Sequence, residues 1–286
     1  MRLRIGTRGS ALALWQANDA ARRLREAGHE TEILTMRTLA DRRQDVPLAS
    51  IGGKGVFIKE LEEALDRGEI DLAVHSLKDV PSIMPGHFVL AGFLERADPR
   101  DAWVHVEGRA LGDMEPGSII GTSAPRRRAQ LAELYPHLPS SEIRGNVETR
   151  IQKARDGLYA GLVLASAGLH RLDRAGEITS YFSIDDMLPA AGQGIVVLEC
   201  LRANHAMRDI IRTVNHETSE VAARTERDLL ERFGTRLDCY SAVAVYFDGA
   251  LLRAFFSNGQ RSIRVHGPDV DDVYAQLIAQ GAEELV

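Results

Sequence analysis

Short apolar runs alternate along this chain with segments whose apolar residues recur every three or four positions, the patterns of buried strands and amphipathic helices. Leu3 to Ile5 reads as a first strand, and Ser10 is placed to cap a helix through Leu12, Leu14, Trp15 and Leu24 that stops at Gly28. Glu32 to Thr38 is strand-like, Val56 to Leu65 has helical spacing ended by Gly68, and Phe88 to Gly92 is a further strand. Glu95 to Trp103, dense in charge and carrying Pro99, reads as a crossing between domains. A second unit of the same type follows, with strand signals at Ser118 to Gly121 and Gly161 to Ala165 and helical signals at Pro125 to Tyr135 and Val147 to Asp156. Leu188 to Cys200 supplies a Gly-rich loop and a buried strand returning to the first domain, which makes a two-strand hinge. From about His216 the character changes. A long helix, Ser219 to Phe233, precedes alternating strands around Ala242 to Phe247, Ala250 to Phe256 and Ser262 to His266, and Asp269 caps a final helix running to Glu284.

This order predicts an α/β fold: two similar periplasmic-binding-protein-like α/β domains around a cleft, plus a small C-terminal α+β domain. The expected boundaries are 1–94 with 195–212, 99–188, and 217–286. At 286 residues the chain exceeds one compact core, and 44% hydrophobic with 27% charged residues describes a folded protein. No apolar run approaches the roughly 20 residues of a membrane helix, and MRLRIGTRGS lacks the apolar core of a signal peptide, so no membrane association and a cytoplasmic location are expected. A net charge of −6 argues against general nucleic-acid binding. Cys200 and Cys239, the only thiols, are too few for a disulfide framework or a structural zinc site, and no metal is expected. Of 35 basic residues only Lys54, Lys59, Lys78 and Lys153 are lysines; three of them fall in GGKGVFIKE and HSLKDVP, where a compact ammonium matters more than a planar fork.

Chemistry is expected just past Val74. The apolar start of IDLAVHSLKDVP (Ile70 to Pro81) ends abruptly in His75, Ser76, Lys78 and Asp79, and ligands of open α/β sheets bind outside the carboxyl ends of such strands. His75 reads as structural rather than as a base. In GTSAPRRRAQL, Thr122, Ser123 and Pro125 stand at a helix start, where free backbone N–H groups favour an anion. Arg126, Arg127 and Arg128 crowd the same positive end, which a bound anion would make tolerable. Arg8, Arg144, Arg150 and Arg171 also sit at strand-to-helix junctions. Converging guanidinium forks imply several carboxylates or phosphates on the ligand; without GxGxxG or GxxxxGKS patterns, a small polycarboxylate fits better than a nucleotide. Asp79, beside Lys78 and amid arginines, can stabilise a cationic intermediate. Two hinged domains around an arginine-lined cleft also describe an anion-binding protein, but a binder needs neither a carboxylate beside Lys78 nor a free cysteine on a separate domain.

HSLKDVP, GGKGVFIKELE, GTSAPRRRAQL, RGNVETR, AGLHRL and LPAAGQG, in this order over about residues 3 to 230, together closely resemble the porphobilinogen deaminase (hydroxymethylbilane synthase) family. That resemblance implies a transferase that joins four porphobilinogen molecules head to tail, releases ammonia each time, and hydrolyses off the linear tetrapyrrole hydroxymethylbilane. It makes Asp79 the catalytic carboxylate, steadying the azafulvene cation, and has Arg8, Ser10, Gln16, Ser76, Lys78, Ser123, Arg126, Arg127, Arg144, Arg150, Arg171 and Gln193 bind cofactor or substrate. It further implies a covalent dipyrromethane cofactor in thioether linkage to Cys239, with Cys200 a buried core residue, and a monomeric protein. Three departures stand out: Leu237 and Asp238 replace the usual glycines before the cysteine, Ala124 replaces a serine, and the third domain looks trimmed. Asp238 disfavours a thiolate at Cys239, and Arg236 is expected to offset it.

Overall fold

The computed structural model describes residues 2–36, 58–237 and 241–286. Strand β1 (Arg2–Arg8) leads into α1 (Ala11–Glu26), whose N-cap Ser10 accepts from the Ala13 amide at 3.3 Å. There follow β2 (Glu30–Met36), α2 (Lys59–Asp66), β3 (Leu72–Ser76) and β4 (Phe88–Phe93). A second series comprises β5 (Asp101–Val104), β6 (Ile120–Gly121), α3 (Pro125–Leu134), β7 (Ser140–Ser141), α4 (Val147–Arg155), β8 (Gly161–Ala165), α5 (Ser166–Arg171) and β9 (Ser180–Tyr181). The chain then forms β10 (Val196–Leu201), α6 (His205–Arg212), α7 (Glu217–Phe233), β11 (Ala242–Phe247), β12 (Leu252–Ser257), β13 (Ser262–Gly267) and α8 (Val270–Ala279).

Two five-stranded sheets share one topology. Their orders are β2-β1-β3-β10-β4 and β7-β6-β8-β5-β9; the first three strands of each run parallel, and the fourth is antiparallel to both neighbours. In each sheet the antiparallel strand is the one that arrives from the other series. An antiparallel strand begins at the rim where its parallel neighbours end: Val196 pairs with Ser76, and Asp101 with Ala165. Both crossings therefore reach the carboxyl rims of the sheets, the edge where α/β proteins bind ligands.

The crossings are stitched to each other and to the C-terminal unit. Ala97 donates to the Gly194 carbonyl at 3.1 Å, and Arg96 Nε to the Gln193 carbonyl at 2.9 Å. Gly194 has φ of +90°, and a Cβ there would stand 2.4 Å from the Ala97 oxygen, so the close approach requires glycine. Buried Glu226 of α7 accepts from Arg96 Nη1 at 2.6 Å, from the Gly192 amide at 2.6 Å and from the Phe247 amide at 2.9 Å. One carboxylate thus ties both crossings to the third sheet, β11-β12-β13.

Burial follows the apolar pattern. Leu3 and Ile5 of β1, Ala17, Ala20 and Leu24 of α1, Leu72 and Val74 of β3 and Leu198 of β10 form one core, each fully buried leucine or isoleucine contributing about 1.5–3 kcal/mol. Cys200 lies in it, as expected, and burial pushes its thiol up to about 11. The third sheet packs on α7 and α8, with Phe233 4.7 Å from the Phe256 ring and 5.4 Å from Tyr274. Of the boundaries that differ from expectation, two bear on the architecture. The crossing ends earlier than Trp103, because Asp101 already opens β5, and the last helix stops at Ala279, where left-handed Gly281 (φ +74°) breaks it before a short 3-10 turn.

Candidate functional site

Strand β3 delivers the turn Leu77–Asp79. Leu77 and Val80 sink into a core with Ile58, Phe93, Ile195 and Val197, so the two residues between them, Lys78 and Asp79, are left exposed. Gly192 lies beneath: with φ of +72° it passes so close that a Cβ would meet Leu77 Cγ at 2.5 Å. Ser76 at the strand end accepts from buried Gln16 Nε2 at 2.7 Å, which ties α1 to the same rim.

The opposite wall comes from the second sheet. Pro125 starts α3, and the guanidinium groups of Arg126 and Arg127 fold inward onto Asp101, all three side chains being buried. Asp101 accepts from Arg126 at 2.6 Å, Arg127 at 2.7 Å and Gln193 Nε2 at 2.8 Å. Asp101 thus gives Arg126 and Arg127 one counter-charge between them, and Arg127 Nε is buried with no hydrogen-bond partner among the described residues. Burial by itself pushes the Asp101 carboxyl up, but the two arginine charges and their hydrogen bonds outweigh it and hold it well below the usual carboxylate range. Arg128 is exposed.

Gln193 spans the two walls. Its Oε1 accepts from Arg126 Nη2 at 3.0 Å and from Lys78 Nζ at 3.3 Å, while Nε2 donates to the Pro99 carbonyl at 2.7 Å. Burial, and then the Arg127 charge, pull the Lys78 ammonium down to about 8 against the opposing pull of Asp79; Lys78 nevertheless keeps surface open to solvent in the cleft. Arg150 is brought down to about 10 by burial and Arg127, with Asp79 opposing, and its Nε donates to the Gly145 carbonyl at 2.8 Å. Among the described residues, Lys78, Arg126, Arg127, Arg144 and Arg150 therefore stand as five cations against three carboxylates, Asp79, Asp101 and Glu142.

Further out, Arg171 on α5 donates to the Gly194 carbonyl at 2.7 Å and lies 5.4 Å from the Trp15 ring of α1. Arg144 is 3.9 Å from Glu142, and its Nη1 is buried with no hydrogen-bond partner among the described residues. Ser123 Oγ donates to the Ile143 carbonyl, Arg8 closes β1, and Ser10 is committed to capping α1. Cys239, Asp238 and Lys54 lie outside the described residues. Lys59 pairs at 4.0 Å with Glu63 on the exposed face of α2. Arg236 pairs with Glu283; the Asp238 it is expected to offset lies outside the described residues. His75 is structural as read: its Nε2 meets buried Glu199 at 2.9 Å.

Residue-by-residue reading missed Asp101. Its signal is an acid opening an otherwise apolar run, DAWV, directly after the crossing. It also passed over Ser166, whose buried hydroxyl, like that of Thr122, has no partner among the described residues.

The family model described as porphobilinogen deaminase, dipyromethane cofactor binding domain, matches residues 3–209. The porphobilinogen deaminase of Geobacter sulfurreducens is 43% identical over 299 residues, covering 100% of this chain and 94% of that protein. That of Thiobacillus denitrificans is 43% identical over 299 residues, covering 99% and 97%. Among solved structures, the methionine binding protein MetQ is similar with a TM-score of 0.49 and 12% identity, covering 78% of this chain and 94% of that one.

Proposed function

Because the chain belongs to the porphobilinogen deaminase family, we propose that its arginine-walled cleft grips the acetate and propionate arms of a pyrrole oligomer while Asp79 serves the reacting carbon. The reaction is the stepwise head-to-tail joining of four porphobilinogen molecules, each losing ammonia, followed by hydrolysis to hydroxymethylbilane. The family's dipyrromethane cofactor supplies, when bound, the nucleophilic pyrrole carbon to which the first substrate adds. The residues present fit such a group. Cations outnumber carboxylates on the walls, and among the described residues Arg144 Nη1, Thr122 Oγ1 and Ser166 Oγ are buried without hydrogen-bond partners, as donors for ligand carboxylates would be. Ser76, Lys78, Ser123, Arg126, Arg127, Arg144 and Arg150 would hold it, with Cys239 as the attachment point.

The chain's own residues divide the work. The arginines bind and orient the acidic arms by bidentate hydrogen bonds, so successive rings meet one reacting position. Asp79 accepts from the ring N–H and stabilises the positive charge that develops on the substrate as its amino group leaves. Lys78, through Gln193, links the Asp79 turn to the Arg126–Asp101 wall. Arg8, Ser10, Gln16 and Arg171 extend the grip along the rim. Residues 1–94 with 195–212, 99–188 and 217–286 are read as three domains, each contributing one sheet. Among the described residues no helix is long and apolar enough to cross a membrane, and action as a cytoplasmic monomer completes the reading.

The excess of cations around Asp79 carries this reading. Incubation of the purified protein with porphobilinogen tests it: one ammonia released per substrate consumed and a four-ring product are expected, whereas binding without ammonia release would leave only an anion-binding protein. Intact mass is expected to show a two-pyrrole adduct that is absent from Cys239→Ser.

A further inference from the structure

Arg227, on α7 next to Glu226, is buried, yet among the described residues no carboxylate closer than Glu231, 4.0 Å away and half exposed, accounts for its charge. Its fork is instead spent on backbone. Nη1 donates to the Val80 carbonyl at 3.3 Å, and Nη2 to the Pro81 carbonyl at 2.7 Å and the Ser82 carbonyl at 2.9 Å. These are three consecutive carbonyls, and they follow Asp79 directly. Among the described residues no backbone N–H reaches any of them.

The placement matters because of how the Asp79 turn is held. On its entry side the turn is fixed by β3, by the Val80 amide bonding to the Leu77 carbonyl at 3.0 Å, and by burial of Leu77 and Val80. On its exit side the chain runs through Pro81, which has no N–H to give, into a stretch without helix or strand until Phe88. The guanidinium fork replaces the missing ladder. A buried cation is costly unless its hydrogen bonds are satisfied, and a group meant only to stabilise the fold would be better matched by an acid or an apolar side chain.

We propose that Arg227 is a positioning residue for Asp79, clamping the carbonyls of residues 80–82 so that the carboxylate is held at the reacting ring. The inference rests on the reading of Asp79 as the catalytic carboxylate. Misplacement of a reacting group by about 1 Å can lower a rate about 100-fold, so an unclamped exit strand is felt in turnover. Its effect on substrate affinity is smaller, because Arg126, Arg127, Arg144 and Arg150, which grip the acidic arms, lie on the other wall and only Ser76 and Lys78 border the clamped turn.

The test is Arg227→Lys, which keeps the charge but replaces the planar fork with a point charge, together with Arg227→Met. In Arg227→Lys, kcat is expected to fall about tenfold or more with KM within about twofold of wild type, amides of residues 79–84 to exchange faster, and exchange in α7 and the third sheet to stay unchanged. Millimolar guanidinium is expected to restore part of the turnover of Arg227→Met. In an Asp79→Asn background, Arg227→Lys is expected to cause no further loss, since both changes act through one group. An unchanged kcat, additive losses in the double variant, or faster exchange throughout α7 overturns the proposal. Full turnover by Asp79→Asn alone would instead sink the reading of Asp79, and the positioning role of Arg227 with it.

Discussion

Asp101 is the sharpest quantitative handle on the site. Asp101→Asn preserves shape and volume but leaves Arg126 and Arg127, both buried, without a counter-charge. The carboxylate accepts from both guanidinium groups and from Gln193 at 2.6 to 2.8 Å; an amide can accept through one atom only and turns its NH2 toward donors. Removing one partner of a buried ion pair costs about 3–5 kcal/mol. With a urea slope of about 3 kcal/mol per M for a chain of this size, the denaturation midpoint is expected to drop by about 1 M or more. Asp98→Asn is the control: Asp98 pairs with Arg100 at 2.7 Å on partly exposed surface, and its loss is expected to cost less than about 1 kcal/mol.

The pH dependence carries the same signature. The folded Asp101 carboxyl is held below its ordinary value, so its contribution is fully present above the unfolded value of about 3.9 and is lost as pH falls through the folded value. The gap between the midpoints of wild type and Asp101→Asn is therefore expected to be constant from about pH 5 to 8 and to narrow below about pH 4. A gap no larger than that of Asp98→Asn, or one that widens in acid, would refute the account of Asp101 as the internal counter-ion.

Three further outcomes are expected. Asp79→Asn lowers kcat at least about 100-fold while the thermal midpoint stays near wild type, because the side chain is exposed and packs no core; normal turnover rules the assignment out. KM for porphobilinogen rises as pH passes about 8, where Lys78 loses its charge, and this rise is absent from Lys78→Gln; a flat wild-type profile would contradict the placement of Lys78 at the ligand. Gly192→Ala, strained by its φ of +72° and by Leu77 Cγ 2.5 Å from the added methyl, destabilises by about 2–4 kcal/mol and impairs turnover. Gly157→Ala, with φ of +75° but open space, costs only about 1–2 kcal/mol in a melting comparison, and equal effects would remove the role given to the Leu77 contact.

Elements set by local pattern were legible in the chain. The helix from Ser10, strands Gly161–Ala165 and Ala242–Phe247, and the return of the strand ending in Cys200 to the first sheet follow from periodicity, caps and apolar runs, all written within a few residues. So was the gathering of Arg126, Arg127, Arg150 and Arg171 near strand ends, because a parallel sheet sends its carboxyl ends to one rim. Where a helix ends was less legible: the periodicity past Ala279 carries on in the sequence, and only the left-handed Gly281 interrupts it.

Which charges neutralise one another was decided by the tertiary structure alone. Nothing near Arg126 in the chain identifies Asp101 or Gln193 as its partners, nothing near Arg236 points to Glu283, and nothing near Asp79 points to Arg227. Periodicity and capping are local, so a sequence states them directly. Compensation of a buried charge depends on which distant side chains lose their water together, and that is settled only when the sheets and the C-terminal helices have packed.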